Sequence, residues 1–359
     1  MEPMTSSIAT PTERSAAVSG RILQLDGLRA VAILLVIVNH TFHLPLTWAG
    51  VDVFFVLSGF LITGILLQRK KHPKTYFAYF YRRRIFRILP SYYLTLLIFG
   101  LIFGWSTFHP LWTLVFFGMN IQPLLTRHSI PLPLWSLAVE EQFYLVFPFL
   151  VLLCSERTLK HLLAIAMIAT LYLRYIVNGY IHGEVFIYIL TPLRADLLCA
   201  GAFLALVWKD RTPAQETFFR EKSRYVLVVT LFLLGLSQHW WKFVLWSQSA
   251  KAYVWVFLAT LICSVALVSW TLADRGWLHR VLTWRPVRFV GEISYTMYLT
   301  HLIVVFLLEG HGVHTKWVLF VATTVGSIAW ASVSWFVMER PLIRYAAHST
   351  RHLTMKEAA

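Results

Sequence analysis

Hydrophobic residues along this chain form long continuous runs, separated by short polar segments. The runs lie at about residues 24–46, 50–68, 88–105, 135–153, 161–180, 190–208, 225–241, 253–273, 289–308 and 317–338. About 20 apolar residues cross the hydrocarbon core of a bilayer as a helix, so each run predicts a transmembrane span. Barrel strands would alternate in hydrophobicity, and these runs do not. The expected fold is an all-α, polytopic transmembrane helix bundle of about ten spans. Residues 111–125, LWTLVFFGMNIQPLL, are also apolar but short and broken by Pro123. As a full span they would reverse the side of every later loop. We therefore expect 106–134 to be a re-entrant or interfacial segment on the outer side.

Composition agrees. Hydrophobic residues make up 58% of 359 and charged ones 14%, against about 45–50% and about 25% in soluble domains. This excludes a soluble globular enzyme, a disordered chain and a fibrous protein. The formal charge of +15 would suggest nucleic acid in a soluble protein. Here it sorts by loop instead, and no nucleic-acid partner is expected. With the N-terminus inside, segments 1–23, 69–87, 155–160, 209–224, 274–288 and 339–359 hold 25 Lys and Arg, against four outside: Arg127, Lys242, Lys251 and Lys316. That bias follows the positive-inside rule and places both termini in the cytoplasm. Residues 1–20 lack the features of a cleaved leader and read as a disordered cytoplasmic tail. Residues 21–345 form the membrane domain and 346–359 a second cytoplasmic tail. No polar stretch is long enough for a fused soluble domain. Cys154, Cys199 and Cys263 lie in apolar runs and suggest neither a disulfide framework nor a metal site.

Charges inside spans are costly and mark candidate sites. Arg29 and His40 are eleven residues apart, three turns plus about 20°, so they share a helix face about 16 Å apart. One face thus carries an anion-binding group below and a titratable base above. Equally, Arg29 reads as a snorkelling residue and His40 as an interfacial histidine. Asp52, near the outer boundary of the second run, needs a partner, either His40 or an arginine; Ser58, Gly59 and Gly64 follow it and suit close helix packing. In the loop YFAYFYRRRIFRILPSYY, topology explains part of the arginine density. Arg84 and Arg87 also share a helical face and suit phosphate oxygens. In PLPLWSLAVEEQFYLVFP, Glu140 and Tyr144 share a face. Glu140 is expected level with His40, able to orient its imidazole, while Trp135 is an interfacial anchor. Arg194 and Asp196 could pair with each other or across spans. Ser294, Tyr298 and His301 form one polar face, read chiefly as structural, with His301 the outsider for function. Glu339 and Pro341 read as the end of the last helix. No phosphate-cradling glycine loop, metal-ligand cluster, nucleophile elbow or dinucleotide fingerprint occurs.

Arg29 with His40, AGVDVFFVLSGF at 49–60, RRRIFRILPSYY at 82–93, PLWSLAVEEQFY at 133–144, RADLLCAG at 194–201 and GEISYTMYLTH at 291–301 occur in one order. Together they resemble the acyltransferase-3 family of bacterial integral-membrane O-acyltransferases, over about residues 21–345. The resemblance implies transfer of an acyl group, acetyl by default, from cytoplasmic acyl-CoA to a hydroxyl. It implies a multi-pass protein of the bacterial inner membrane, among lipids, with acyl-CoA as co-substrate and no bound cofactor. Its acceptors include lipopolysaccharide O-antigen, exopolysaccharides, peptidoglycan, nodulation lipo-oligosaccharides and macrolides. A carbohydrate or lipid-linked glycan is the expected class here, with a secondary metabolite as the alternative. Some relatives carry an extracytoplasmic esterase-like domain that these residues do not include, which favours direct transfer. By the resemblance His40 is the general base, with Glu140 or Asp52 orienting it. Arg29, Arg84 and Arg87 hold coenzyme A, and Tyr144, Trp135 and Ser58 contact substrate. An acyl-enzyme on His40, Ser58 or Ser136 is a less favoured route. The rival from another class is a proton-coupled transporter, since intramembrane Arg, Asp and His also suit a carrier. No inverted repeat or paired broken helix supports it.

Overall fold

The computed structural model describes residues 21–105, 110–123, 133–180, 188–241 and 250–358. The expected tail 1–20 lies outside them. Among the described residues there is no strand. Each of the ten apolar runs lies largely in a helix: α1 Leu23–Phe42, α2 Gly50–Arg69, α3 Tyr76–Phe103, α4 Leu134–Leu153, α5 Glu156–Tyr180, α6 Ala195–Trp208, α7 Pro213–Trp241, α8 Ala250–Ala273, then after the short α9 Trp277–Thr283, α10 Arg285–Gly310 and α11 Lys316–Ser334. Eight helices among the described residues are long and apolar enough to cross a membrane. Two of the ten expected spans fall outside that set. The helix α6 has only 14 residues, and α7 opens with a charged first half. Residues 110–123 do not span. They form one helical turn, Trp112–Val115, and tight turns tied to α3 by Tyr92 Oη donating to Leu114 O at 2.8 Å.

The last helix departs from expectation. Glu339 and Pro341 do not end it. A π-turn at Trp335–Glu339 joins α11 directly to α12, Arg340–Ala358. Pro341 falls in the first turn after the π-turn, where a missing N–H is tolerated. Glu339 is buried, accepting hydrogen bonds from Thr296 (2.7 Å) and Ser334 (2.9 Å). The expected tail at 346–359 is therefore helical through Ala358.

The first two helices set the depth of everything else. His43 caps α1 in the left-handed region, its N–H bonding to Asn39 O at 3.0 Å. The chain then dips back, so that Gly50 packs against Ala32, Leu35 and Val36, well below the end of α1. In consequence α2 begins one to two turns deeper than His40. It crosses α6 at a contact where Gly59 faces the Leu198 carbonyl and Gly201 faces the Val56 carbonyl. An added Cβ at either glycine would overlap that carbonyl, and close backbone approach of this kind is what small residues permit between membrane helices. The largest apolar core gathers around α1, α2, α6, α8 and α10.

Candidate active site

The α6 crossing and α10 leave a cavity between α1, α2, α3, α4 and α10, of about 770 Å³ including its mouth. Three arginines line it: Arg29 from α1, and Arg84 and Arg87 from α3. One helical turn separates the latter two, so both reach the same space. Among the described residues, none of these guanidiniums hydrogen-bonds or lies within 4.0 Å of a carboxylate. Their mutual neighbours are each other, with Glu140 and Glu141 near Arg84, and Asp26 and Glu339 near Arg87. The Tyr144 ring lies 5.3 Å from the Arg84 guanidinium. Glu140 also lines the cavity and accepts a hydrogen bond from Ser58 Oγ at 2.6 Å. Three cations against one lining carboxylate make a pocket suited to a polyanion.

Tyr298 and Ser136 also line the cavity, their oxygens 2.5 Å apart. Both hydroxyls also face Pro133 O, Tyr298 Oη at 2.9 Å and Ser136 Oγ at 3.1 Å, so either can donate in the bridge. Beyond this bridge lies an imidazole pair. His40 Nδ1 is 2.9 Å from Val36 O and 3.2 Å from His301 Nε2. His301 Nδ1 is 2.7 Å from Tyr298 O.

Several expectations require correction. Glu140 does not orient His40. It sits with Ser58 and Arg84, because the dip before Gly50 lowers α2 and its partners relative to the end of α1. Asp52 does not meet His40 either. It is fully buried and bonded to Arg194, the other partner its position allowed. Arg194 in turn does not pair with Asp196, whose carboxylate takes both terminal nitrogens of Arg174 at 2.8 and 2.7 Å. Trp135 does not line the cavity. It packs against Phe55 and Tyr188 in a ring of aromatics around the Arg194 guanidinium. His301, marked only by its spacing from Ser294 and Tyr298, is the residue that actually touches His40. Glu339 was hidden because a carboxylate beside a proline resembles a helix end.

Comparisons with known proteins establish the family. The family profile described as an acyltransferase domain (acyltransferase-3) matches residues 22–336. The chain belongs to the acyltransferase-3 family. It is 29% identical over 354 residues to a putative peptidoglycan O-acetyltransferase, YrhL, of Bacillus subtilis, covering 89% of this chain and 54% of that protein. It is 27% identical over 317 residues to the peptidoglycan O-acetyltransferase OatA of Listeria monocytogenes, covering 77% of this chain and 48% of that one. A putative O-acetyltransferase of Staphylococcus aureus (strain COL) is 27% identical over 358 residues, with 88% and 56% covered. The chain spans about half the length of these relatives. No solved structure matches it.

Proposed function

We propose that this chain is a multi-pass O-acyltransferase of the bacterial inner membrane, moving an acetyl group from acyl-CoA to a hydroxyl of a cell-surface glycan. The observation that carries the reading is the cavity lined by Arg29, Arg84 and Arg87, three cations with no neutralising partner at hydrogen-bond range among the described residues. Coenzyme A brings several phosphate charges, and arginine forks match phosphate oxygens. In this reading the phosphates lie among the arginines. The pantetheine arm runs along α1 past Tyr298 and Ser136, whose hydrogen bond opens to admit it. The thioester then reaches His40. As the acceptor oxygen attacks the thioester carbonyl carbon, His40 takes the hydroxyl proton. The tetrahedral adduct expels the CoA thiolate, which receives that proton from His40. Glu140 and Ser58 shape the donor cavity. The names of the Bacillus and Listeria relatives support peptidoglycan as the first acceptor to try.

The test is thiol release from acetyl-CoA by the purified protein in lipid, with and without a glycan acceptor. Acceptor-dependent release of free CoA is expected. His40→Asn keeps polarity but removes the base, and is expected to lower turnover by at least about 100-fold. His43→Asn, outside the imidazole pair, is expected to be much milder. A chain that releases no thiol with any glycan, yet moves a solute across vesicles, would be a carrier instead.

A further inference from the structure

The geometry points to His301 as the positioning residue of the transfer reaction, fixing the tautomer and orientation of His40 in the place where many histidine bases use a carboxylate. This inference rests on the reading of His40 as the base. The argument begins with which nitrogens carry hydrogen. A backbone carbonyl accepts and cannot donate. His301 Nδ1 faces Tyr298 O, so it is the protonated nitrogen, and His301 Nε2 is left with a lone pair. His40 Nδ1 faces Val36 O, so it too is protonated. That hydrogen is shared with His301 Nε2, 3.2 Å away, an acceptor by the preceding step. Each assignment requires the other. The result leaves His40 Nε2 as the one ring nitrogen of the pair with a lone pair and no partner among the described residues. It is the form a general base needs.

The two rings are not interchangeable. His301 is fully buried and both its nitrogens are engaged. His40 is only partly buried, so only its free nitrogen can meet an acceptor hydroxyl. When His40 Nε2 gains a proton, the imidazolium still donates from Nδ1 to a neutral His301. The ring is thereby held through the proton transfer without a fixed negative charge beside it. Tyr298 links the pair to the cavity: its side chain lines the donor space and its carbonyl sets the His301 tautomer. The two carboxylates expected to orient His40, Glu140 and Asp52, are committed to Ser58 and Arg194.

The test compares His301→Leu, His301→Gln, His40→Asn and the His40→Asn/His301→Leu double variant, at matched membrane levels and with thermal stability recorded. A glutamine carbonyl can still accept from His40 Nδ1; leucine cannot. His301→Leu is expected to lower kcat by about 100-fold with KM for acetyl-CoA unchanged, and His301→Gln to recover turnover to within about tenfold of the parent. In the His40→Asn background, His301→Leu is expected to add no further loss, because the two residues act as a unit. Turnover of His301→Leu within threefold of the parent would overturn the inference. So would folded Leu and Gln variants that are equally inactive, or a full further loss in the double variant. If His40→Asn itself keeps parental turnover, the reading of His40 as base falls, and this inference with it.

Discussion

A guanidinium inside a membrane protein needs a reason to be there, and the five arginines considered for this interior have two kinds of reason. Arg174 with Asp196 and Arg194 with Asp52 are closed pairs, fully buried and bonded to each other. Arg29, Arg84 and Arg87 are open, facing a cavity with few acids. The open set is expected to be functional and the closed set structural. Arg84→Ala with Arg87→Ala should insert normally, since the loop and helix around it keep six of eight basic groups. Each lost charge-assisted contact is worth about 1.5–3 kcal/mol, so apparent affinity for acetyl-CoA should fall by at least about 100-fold. Unchanged KM in that variant would remove the donor role. Asp52→Ala should behave oppositely. Removing one member of a buried pair costs about 3–5 kcal/mol, so a large drop in thermal stability is expected, and a stable, inactive Asp52→Ala would instead make it a reactive group. The sequence makes the residue types legible: spacing singles out Arg29, Arg84, Arg87, Glu140 and Tyr144, the family resemblance adds Ser58, and all six line one cavity. It does not reveal partners across helices. Asp52 finds Arg194 and His40 finds His301 over separations of 142 and 261 residues, and no periodicity encodes which of several charged neighbours a carboxylate will face.

At the scale of helices, the crossing of α2 and α6 holds the floor of the site. Gly59 and Gly201 sit reciprocally, each against a carbonyl of the partner helix. The same contact fixes Ser58 beside Glu140 and the start of α6 beside Asp52. Gly201→Ala must push the helices apart, and overpacking of this type costs about 1–3 kcal/mol. A lower melting temperature in detergent is expected, together with reduced turnover as Ser58 moves from Glu140. Gly64→Ala is the control: its added methyl meets open space and should leave stability unchanged or slightly raised. Equal behaviour of the two variants would mean that the crossing carries no strain. Helix existence was legible throughout, because every apolar run became a helix. Helix depth was not. The dip between His43 and Gly50 depends on two left-handed residues, His43 and Leu46; histidine is enriched in that region but leucine is not, so the pair does not mark the turn in the sequence. That dip is why Glu140 and Asp52 lie below His40 rather than beside it. The π-turn at Trp335–Glu339 escaped for a similar reason: a proline after an acid marks a helix end as often as a helix restart.

For the molecule as a whole, the two ends of the bundle can be told apart by their contacts. At one end Arg21 meets Asp26 and Glu292, Lys70 reaches Cys154 O, Lys209 meets Glu156, and Arg275 meets Glu216. At the other, Phe42 packs on Trp317, and Lys316 lies 3.5 Å from Phe42 O. Lys316 is the exception among these basic side chains; the others fall at the first end. Between the ends, the outward residues are apolar: Leu101, Leu153, Ile168, Phe232 and Val337 are each exposed by 60% or more, a surface that lipid can cover and water would penalise. The bundle is thus charged at one end, sparse in charge at the other, and oily around its waist, and under the positive-inside rule the first end is the one proposed to face the cytoplasm. The arginine part of the cavity lies toward that end, with Arg87 in the field of Asp26, where cytoplasmic acyl-CoA would enter. This yields a direct check. With Cys154, Cys199 and Cys263 replaced, a single cysteine is introduced at Lys74 or at His314, both exposed and both outside the cavity. In intact cells a membrane-impermeant thiol reagent should label position 314 and spare position 74, and inverted vesicles should reverse the order. Labelling of 74 from outside would turn the bundle over, put the arginines on the side that lacks acyl-CoA, and leave the proposed donor path without a donor.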